Sequence, residues 1–200
     1  LFDIGHGSGS FSWEVSRLLA EQGFWRGWFT LPRVVTEGAD KFPRFQPHPQ
    51  LETLRKKAIP WGRKELTAPW TLPDAAETAW EILLEIPAQQ QTGGLLLQVG
   101  SCFALELTLA SRTLHAYARD SGEQTMQDCG TLQLAPGAPV RLQVFLDRCS
   151  AEIFADGKCL SVNVFDTAPL RPVSLIPQGG TLPLPLLQVW PLQHVMEPKT

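Results

Sequence analysis

Residues 140–165 read VRLQVFLDRCSAEIFADGKCLSVNVF, and this stretch decides the fold class of the chain. Apolar and mixed residues alternate on both sides of the Asp156-Gly157 pair. Successive side chains of a β-strand point to opposite faces, so each arm offers one apolar face to a core. Asp-Gly supplies the positive φ angles that a tight two-residue turn requires. The stretch therefore predicts antiparallel strands, including a hairpin with arms at 151–155 and 158–165.

The same period of two recurs upstream and indicates a sandwich of several strands. Residues 80–86 and 103–110 carry an apolar side chain at every second position. Between them lie Glu81, Leu83 and Glu85 in the first stretch and polar or small residues in the second. Further strands are expected at 113–118, near 124–127 and at 186–190. Short strands separated by Gly, Pro and Asp are typical of two packed antiparallel sheets. We therefore expect an all-β chain, an antiparallel β-sandwich of the jelly-roll or concanavalin-like kind.

Composition and charge exclude several classes of protein. Charged residues make up 18% of the chain and the formal net charge is −3, with acidic and basic residues interspersed. No basic patch points to nucleic acid. No apolar run approaches the roughly 20 residues of a membrane span. We expect neither a nucleic-acid partner nor a membrane partner.

The four cysteines carry no signature of a metal site or of a disulfide framework. Cys102, Cys129, Cys149 and Cys159 are widely spaced without a Cys-x-x-Cys pair, and the histidines are scattered singly. Free thiols in a reducing compartment are the favoured interpretation. No metal site is expected, and a cytoplasmic location is expected partly on this basis.

Proline sets residues 37–78 apart from the rest of the chain. Six prolines in this region prevent a long helix or a central strand. We expect a connector that lies against its neighbours, with one helical turn at residues 50–57, where Leu51 and Leu54 have i, i+3 spacing. Five more prolines, between residues 169 and 185, are expected to confine strands there to edges or short pieces.

A tryptophan-rich segment links this pattern to a known family. Residues 25–33 read WRGWFTLPR and resemble the Trp-x-Gly-x-x-(Ser/Thr)-Leu-Pro-Arg segment that closes the last propeller blade in glycoside hydrolase family 32. This is the family of invertases, fructanases and sucrose-6-phosphate hydrolases. Residues 49–55 resemble its linker element and residues 80–86 its first sandwich strand. Residues 142–165 are similar to its Val-x-x-Asp-x-Ser-x-Glu-x-Phe-x-x-x-Gly hairpin. The likeness covers roughly residues 25–192.

The resemblance implies three parts. Residues 1–36 would be a short remnant of the last propeller blade, residues 37–78 a proline-rich connector packed on the sandwich, and residues 79–195 the C-terminal β-sandwich. Where many members have Pro-Arg-Glu, this chain has Pro32-Arg33-Val34. Residues 6–11 also depart from the family pattern, and residue 1 is leucine. We therefore expect a fragment or a truncated gene product.

The catalytic residues of the family are not expected in this chain. A retaining glycosidase needs two carboxyl groups about 5–5.5 Å apart. The resemblance places the family's acidic residues upstream, on Asn-Asp-Pro, Arg-Asp-Pro and Glu-Cys segments. None of these three segments occurs in the sequence. No catalytic, cofactor-binding or metal-binding residue is predicted, no cofactor is expected, and the isolated chain is expected to be inactive.

Two carboxylates near the hairpin allow a second interpretation. Asp147 and Glu152 could form a carboxylate pair in a sugar groove. The favoured alternative is structural. In that case Asp147 bonds backbone amides in a turn, and Glu152 forms a rim salt bridge with Arg148 or Lys158.

The tryptophans leave a similar choice. They could stack against a sugar, or they could bury apolar area at the seam between propeller and sandwich, which is favoured. The five concerned are Trp25, Trp28, Trp61, Trp70 and Trp80. Arg33 would then pair with a carboxylate or with backbone carbonyls across that seam.

The implied parent is a β-fructofuranosidase-like glycosidase that acts on sucrose, sucrose 6-phosphate or fructans. The chain itself would support a missing catalytic propeller encoded in the same or a neighbouring reading frame. Fructoside sugars are candidate ligands, and an oligomer is allowed. The alternative is a non-catalytic sandwich module that binds carbohydrate or mediates oligomer contacts.

Overall fold

The computed structural model describes residues 30–73, 77, 79–119, 125–147, 150–163 and 172–193, together with the backbone of residues 2–3. In chain order the strands are β1 (Phe2–Asp3), β2 (Arg33–Glu37), β3 (Pro43–Pro47), β4 (Glu65–Leu66), β5 (Trp70–Thr71), β6 (Trp80–Ile86), β7 (Gly94–Val99), β8 (Phe103–Thr108), β9 (Thr113–Ala118), β10 (Gln127–Gln133), β11 (Val140–Leu146), β12 (Ser150–Ala155), β13 (Lys158–Asn163), β14 (Val173–Gln178), β15 (Leu182–Pro183) and β16 (Leu186–Pro191). A 3₁₀ helix, Pro49–Leu54, follows β3. No helix in these residues is long and apolar enough to cross a membrane.

Two antiparallel sheets form the body of the fold. One has six strands in the order β10-β9-β8-β7-β14-β5, and the other has five in the order β13-β12-β11-β6-β16. Two smaller sheets, β1-β2-β3 and β15-β4, accompany them. The expected all-β antiparallel sandwich is confirmed.

The core lies between the two large sheets, at alternate strand positions. Ile82, Leu84 and Val144 of the five-stranded sheet have no exposed surface, and neither do Leu97 and Phe103 of the six-stranded sheet. Burying a side chain of this size contributes about 1.5–3 kcal/mol. The apolar faces expected at 80–86, 103–110 and 140–146 are therefore those that build the core.

The hairpin expected around Asp156-Gly157 is confirmed. These two residues have φ angles of 51° and 69°, as a type I′ turn requires. The paired residues run from Ala155 and Lys158 next to the turn to Ser150 and Asn163.

Three strands differ from expectation. β7 has no counterpart in the alternating pattern, because its three leucines, at 95–97, follow one another. β10 begins only at Gln127, where its pairing with β9 starts. β14 reaches six residues despite Pro177. It tolerates this proline because its neighbour β5 pairs only with Ser174 and Leu175 and leaves the sheet edge open beyond them.

Residues 30–55, here called the cover segment, lie over the outer face of the five-stranded sheet. Leu51 packs there with Phe145 and Phe154 in a second apolar cluster. The backbone N–H of Phe45 donates to the carbonyl of Gly157 at 2.7 Å. The expected helical turn is the 3₁₀ helix, which ends at Leu54 because Arg55 is extended, with φ −66° and ψ 126°. The boundary expected at residue 36 falls inside β2.

Candidate functional site

A line of side chains crosses the outer face of the five-stranded sheet beneath the cover segment. Strand register places Trp190, Glu81, Phe145, Glu152 and Ser161 next to one another, one from each strand. We call this line the outer-face row. Glu81 is 0% exposed and Glu152 is 2% exposed. A carboxylate at this depth needs charged or hydrogen-bonding partners, because removing it from water is costly.

Three donors surround Glu152. Arg33 Nη2 lies 2.8 Å from Oε2, and Ser161 Oγ donates to the same oxygen at 2.8 Å. The backbone N–H of Leu31 donates to Oε1 at 3.1 Å. Arg33 Nη2 also donates to Ser161 Oγ at 2.6 Å. The cluster therefore fixes the start of β2 onto β12 and β13.

The electrostatics of this cluster are those of a buried structural pair. Burial raises the pKa of Glu152, while the charge of Arg33 and the hydrogen bonds from Ser161, Leu31 and Arg33 oppose that rise. Burial also raises the pKa of the Cys159 thiol to about 12, and its Sγ lies 3.8 Å from Glu152 Oε2. The thiolate is the reactive form of cysteine, so Cys159 is not a nucleophile near neutral pH.

Glu81 is held by a second arginine from the cover segment. Arg55 binds it in a bidentate manner, with Nε to Oε2 and Nη2 to Oε1 both at 2.7 Å. Gln143 Nε2 donates to Oε1 at 2.7 Å. The guanidinium carbon of Arg55 lies 4.1 Å from the ring centre of Trp190, a cation–π contact. The hydrogen bonds that Arg55 donates to Glu81 are the largest cause of the raised pKa of Arg55.

A groove of about 470 Å³ lies beside this second pair. Pro47, Leu51 and their neighbours in the cover segment form one wall, and side chains of β6, β11 and β12 form the floor. Gln143 and Glu81 line it together with the rings of Phe45 and Phe154. Eight of its sixteen lining residues are polar or charged, so the groove combines aromatic rings with many polar groups.

Asp147 and Glu152 lie in different surroundings. Asp147 is exposed in the turn between β11 and β12, where its backbone N–H closes the turn. The prediction of a rim salt bridge for Glu152 is wrong, because its partner is Arg33 and Lys158 instead donates to a backbone carbonyl of β10. Arg148 lies outside the described residues. Strand alternation puts Glu152 on the outer face, and the cover segment buries it there. The expectation that Arg33 pairs with a carboxylate is confirmed.

Three of the five tryptophans considered for a sugar platform, Trp61, Trp70 and Trp80, are described, and they pack in or against the core between the sheets. Trp80 is 3% exposed and belongs to the core between the sheets. It therefore neither stacks against a sugar nor lies at a seam between propeller and sandwich. It occupies an inward position of β6. Trp61 and Trp70 pack on each other, with ring centres 4.9 Å apart and planes tilted by 56°, and they also contact the core. Rings tilted in this way do not form a flat platform. Trp25 and Trp28 lie outside the described residues.

The pairing of Arg55 with Glu81 is the part of the site that the sequence pattern missed. Alternation assigns Glu81 to a face directed outward, which predicts solvent around it. A signal against this was available, because Leu83 and Phe145 are apolar on the same face. Strands that are apolar on both faces are typical of sheets covered on both sides.

The described residues contain no candidate metal-binding site. Within them, no three His, Cys, Asp or Glu side chains are grouped so that they could hold a metal ion. Cys102, Cys129 and Cys159 are free thiols, as expected. Cys149 lies outside the described residues.

Solved structures with the same fold come from sugar-cleaving enzymes. The Bombyx mori GH32 beta-fructofuranosidase matches with a TM-score of 0.68 and 20% identity, over 96% of this chain and 38% of that chain. Sucrose-6-phosphate hydrolase from Lactobacillus gasseri matches with a TM-score of 0.71 and 14% identity, over 98% and 39%. Exo-inulinase from Aspergillus awamori matches with a TM-score of 0.65 and 16% identity, over 86% and 37%. At these identities the likeness establishes the fold, and the chain spans less than half the length of each enzyme.

A match to a family model establishes the family of the chain. No curated protein matches the chain. The family model described as "Glycosyl hydrolases family 32 C terminal" matches residues 50–191, more than two thirds of the chain. That range includes both large sheets, Arg55 with Glu81, and the carboxylate that binds Arg33. The chain therefore belongs to glycosyl hydrolase family 32, whose C-terminal domain it contains.

Proposed function

We propose that this chain is the C-terminal portion of a β-fructofuranosidase-like enzyme and that it supports a catalytic propeller without itself cleaving a glycosidic bond. The parent reaction would be hydrolysis of sucrose, sucrose 6-phosphate or fructans. Family membership and the fold shared with enzymes of this kind support the proposal.

The observation that carries the supporting role is the state of the two buried carboxylates. Glu81 and Glu152 are both held by arginines of the cover segment. A retaining glycosidase needs a carboxylate free to attack the sugar and a second one free to exchange a proton. Carboxylates with arginine and hydrogen-bond partners on both oxygens fix the position of a chain segment instead. Their geometry is that of anchors.

The proposal is tested with the purified 200-residue chain and three substrates: sucrose, sucrose 6-phosphate and inulin. We expect no release of reducing sugar above the buffer rate, while circular dichroism and a cooperative thermal transition show that the sample is folded. Hydrolysis that persists through purification and is lost in Glu152→Gln would overturn the proposal.

The partner in this proposal is a catalytic propeller from the same or a neighbouring reading frame. A frame immediately upstream that encodes an Asn-Asp-Pro segment is expected to supply it. Produced together, the two parts should co-purify and hydrolyse sucrose, and omission of this chain should remove soluble activity. Full activity of the upstream part alone would contradict the supporting role.

A cytoplasmic location is part of the same proposal. The three described free thiols support a reducing compartment. Fractionation of the producing cells, followed by detection of the chain with an antibody, tests it.

A further inference from the structure

We infer that the groove beside Glu81 binds a neutral mono- or disaccharide. Its volume of about 470 Å³ falls within the roughly 300–1,000 Å³ of small-molecule sites in proteins. This inference is independent of the supporting role proposed above, since a sugar site in the sandwich requires no catalysis.

Two polar side chains of β11 have hydrogen-bonding capacity to spare in the groove. The Gln143 side chain makes one hydrogen bond, from its amide nitrogen to Glu81. Its carbonyl oxygen and second N–H remain for a ligand, because a carboxamide has two donors and an acceptor. Arg141 lies two residues before it on the same face and lines the same groove. Its guanidinium makes no hydrogen bond or ion pair within the described part of the chain. Planar groups of this kind suit neighbouring hydroxyls of a sugar.

Part of the groove lining is apolar and aromatic. Phe45 comes from β3, while Phe154 comes from β12. Leu51 lines the cover-segment side. Aromatic rings bury large apolar area, and the C–H face of a sugar ring presents apolar surface of matching shape. A ligand with hydroxyls on its edge and C–H groups on its face therefore fits both kinds of lining.

Charge distinguishes a neutral sugar from a phosphorylated one. Two arginines, Arg55 and Arg141, line the groove against three carboxylates, Glu52, Glu81 and Asp156. Arg55 is already engaged by Glu81 in a bidentate pair. A phosphate would therefore meet an excess of negative charge, which disfavours its binding. The lining favours an uncharged polyhydroxylated ligand.

The test is calorimetric titration of the full chain with fructose, glucose, sucrose and sucrose 6-phosphate. We expect saturable binding of at least one neutral sugar, with Kd on the order of 0.1–10 mM, and weaker binding of sucrose 6-phosphate than of sucrose. Arg141→Ala and Gln143→Ala should each weaken binding about ten-fold, through the loss of one or two hydrogen bonds.

Gln188→Ala is the matched control. Gln188 is an exposed glutamine of β16, aligned with Gln143 across Leu83 but outside the groove, so its removal should leave affinity unchanged. Thermal unfolding shows whether each variant is folded. If Gln143→Ala destabilises the sheet, the affinity of Arg141→Ala decides the test, because Arg141 is exposed. Three results would each overturn the inference: no saturation with any neutral sugar, tighter binding of sucrose 6-phosphate than of sucrose, or equal affinities in wild type and Arg141→Ala.

Discussion

Glu152 shows how a single buried charge can hold a chain segment in place. Its carboxylate is 2% exposed, so the protein replaces lost water with Arg33, Ser161 and the N–H of Leu31. Such a pair adds little net stability compared with an apolar pair of similar volume, because desolvation offsets the attraction. Removal of one partner is different, since it leaves the other charge buried alone. The pair therefore fixes position more than it adds stability.

Arg33→Ala is expected to cost about 3–5 kcal/mol of unfolding free energy, because Glu152 then stays buried without its cation. Urea denaturation measures the change. The control is Lys41→Ala, which removes an exposed pair whose side chains are 86% and 65% accessible and should cost less than about 1 kcal/mol. Equal effects of the two substitutions would contradict the anchoring role of Arg33.

The raised pKa of Glu152 predicts a pH effect with a definite sign. As pH rises above the ordinary pKa of glutamate, the Glu152 carboxyl group loses its proton in the unfolded chain while it still holds that proton in the folded chain. The unfolded state then binds fewer protons, so the free energy of unfolding falls until the folded-state pKa is passed. Relative to Glu152→Gln, wild type should therefore lose stability across that window, as followed by urea denaturation at several pH values. The control is Glu106→Gln, at an exposed glutamate of β8. Its free energy of unfolding should change with pH in the same way as that of wild type. A gain of wild-type stability with pH relative to Glu152→Gln would contradict the assigned direction.

At the scale of elements, the β12–β13 turn both closes a hairpin and receives the cover segment. Gly157 has a φ of 69°, and a Cβ built there would lie 2.6 Å from Cδ and 3.3 Å from Cβ of Arg44. The glycine is thus required for two reasons: a left-handed backbone and the close approach of β3.

Gly157→Ala is expected to destabilise the fold by more than the backbone strain alone, about 2 kcal/mol in total. Gly137→Ala isolates the backbone part, because Gly137 has a φ of 72° with nothing within 4 Å of the added Cβ, and it should cost about 1 kcal/mol. Thermal unfolding of both variants gives the difference. Combining Gly157→Ala with Arg44→Ala should bring the cost down to that of Gly137→Ala. Identical costs for the two single glycine substitutions would show that the cover segment does not press on the turn.

The inward faces of the strands could be predicted from the sequence, and the ion-pair partners on the outer face could not. Alternation assigns Ile82 and Val144 to the core from local pattern alone, because a strand exposes its two faces in turn. The partner of Glu152 lies 119 positions away along the chain, and no local pattern specifies such a contact. Arg33 itself was assignable to a carboxylate only through the resemblance, which did not say which carboxylate.

At the scale of the molecule, two arginines hold one segment to one sheet, which divides the fold into a core and a cover. The core relies on apolar burial between the two large sheets. The cover segment relies on Arg33 and Arg55, on the cluster around Leu51, and on backbone bonds such as that from Phe45 to Gly157 at 2.7 Å. The residues that directly follow it are held by backbone bonds from Lys56 to Pro191 at 2.8 Å and from Ile59 to Val189 at 2.9 Å. Local opening of the cover should therefore need less free energy than global unfolding.

Hydrogen exchange can measure this division in Arg55→Ala. Without the guanidinium, Glu81 regains water only if the nearby chain lifts away, so the variant favours local opening. We expect the amides of Lys56 and Ile59, which directly follow Arg55 and the cover segment, to exchange about 10–100-fold faster than in wild type, which corresponds to about 1.4–2.8 kcal/mol. The Val144 amide, in the middle of β11, should change much less because it exchanges through global unfolding. An equal increase in exchange rate at Lys56, Ile59 and Val144 would mean that the cover segment and the sandwich open as a single unit. The two arginines would then be ordinary contacts of one cooperative fold and would not hold a separately opening segment to the sheet.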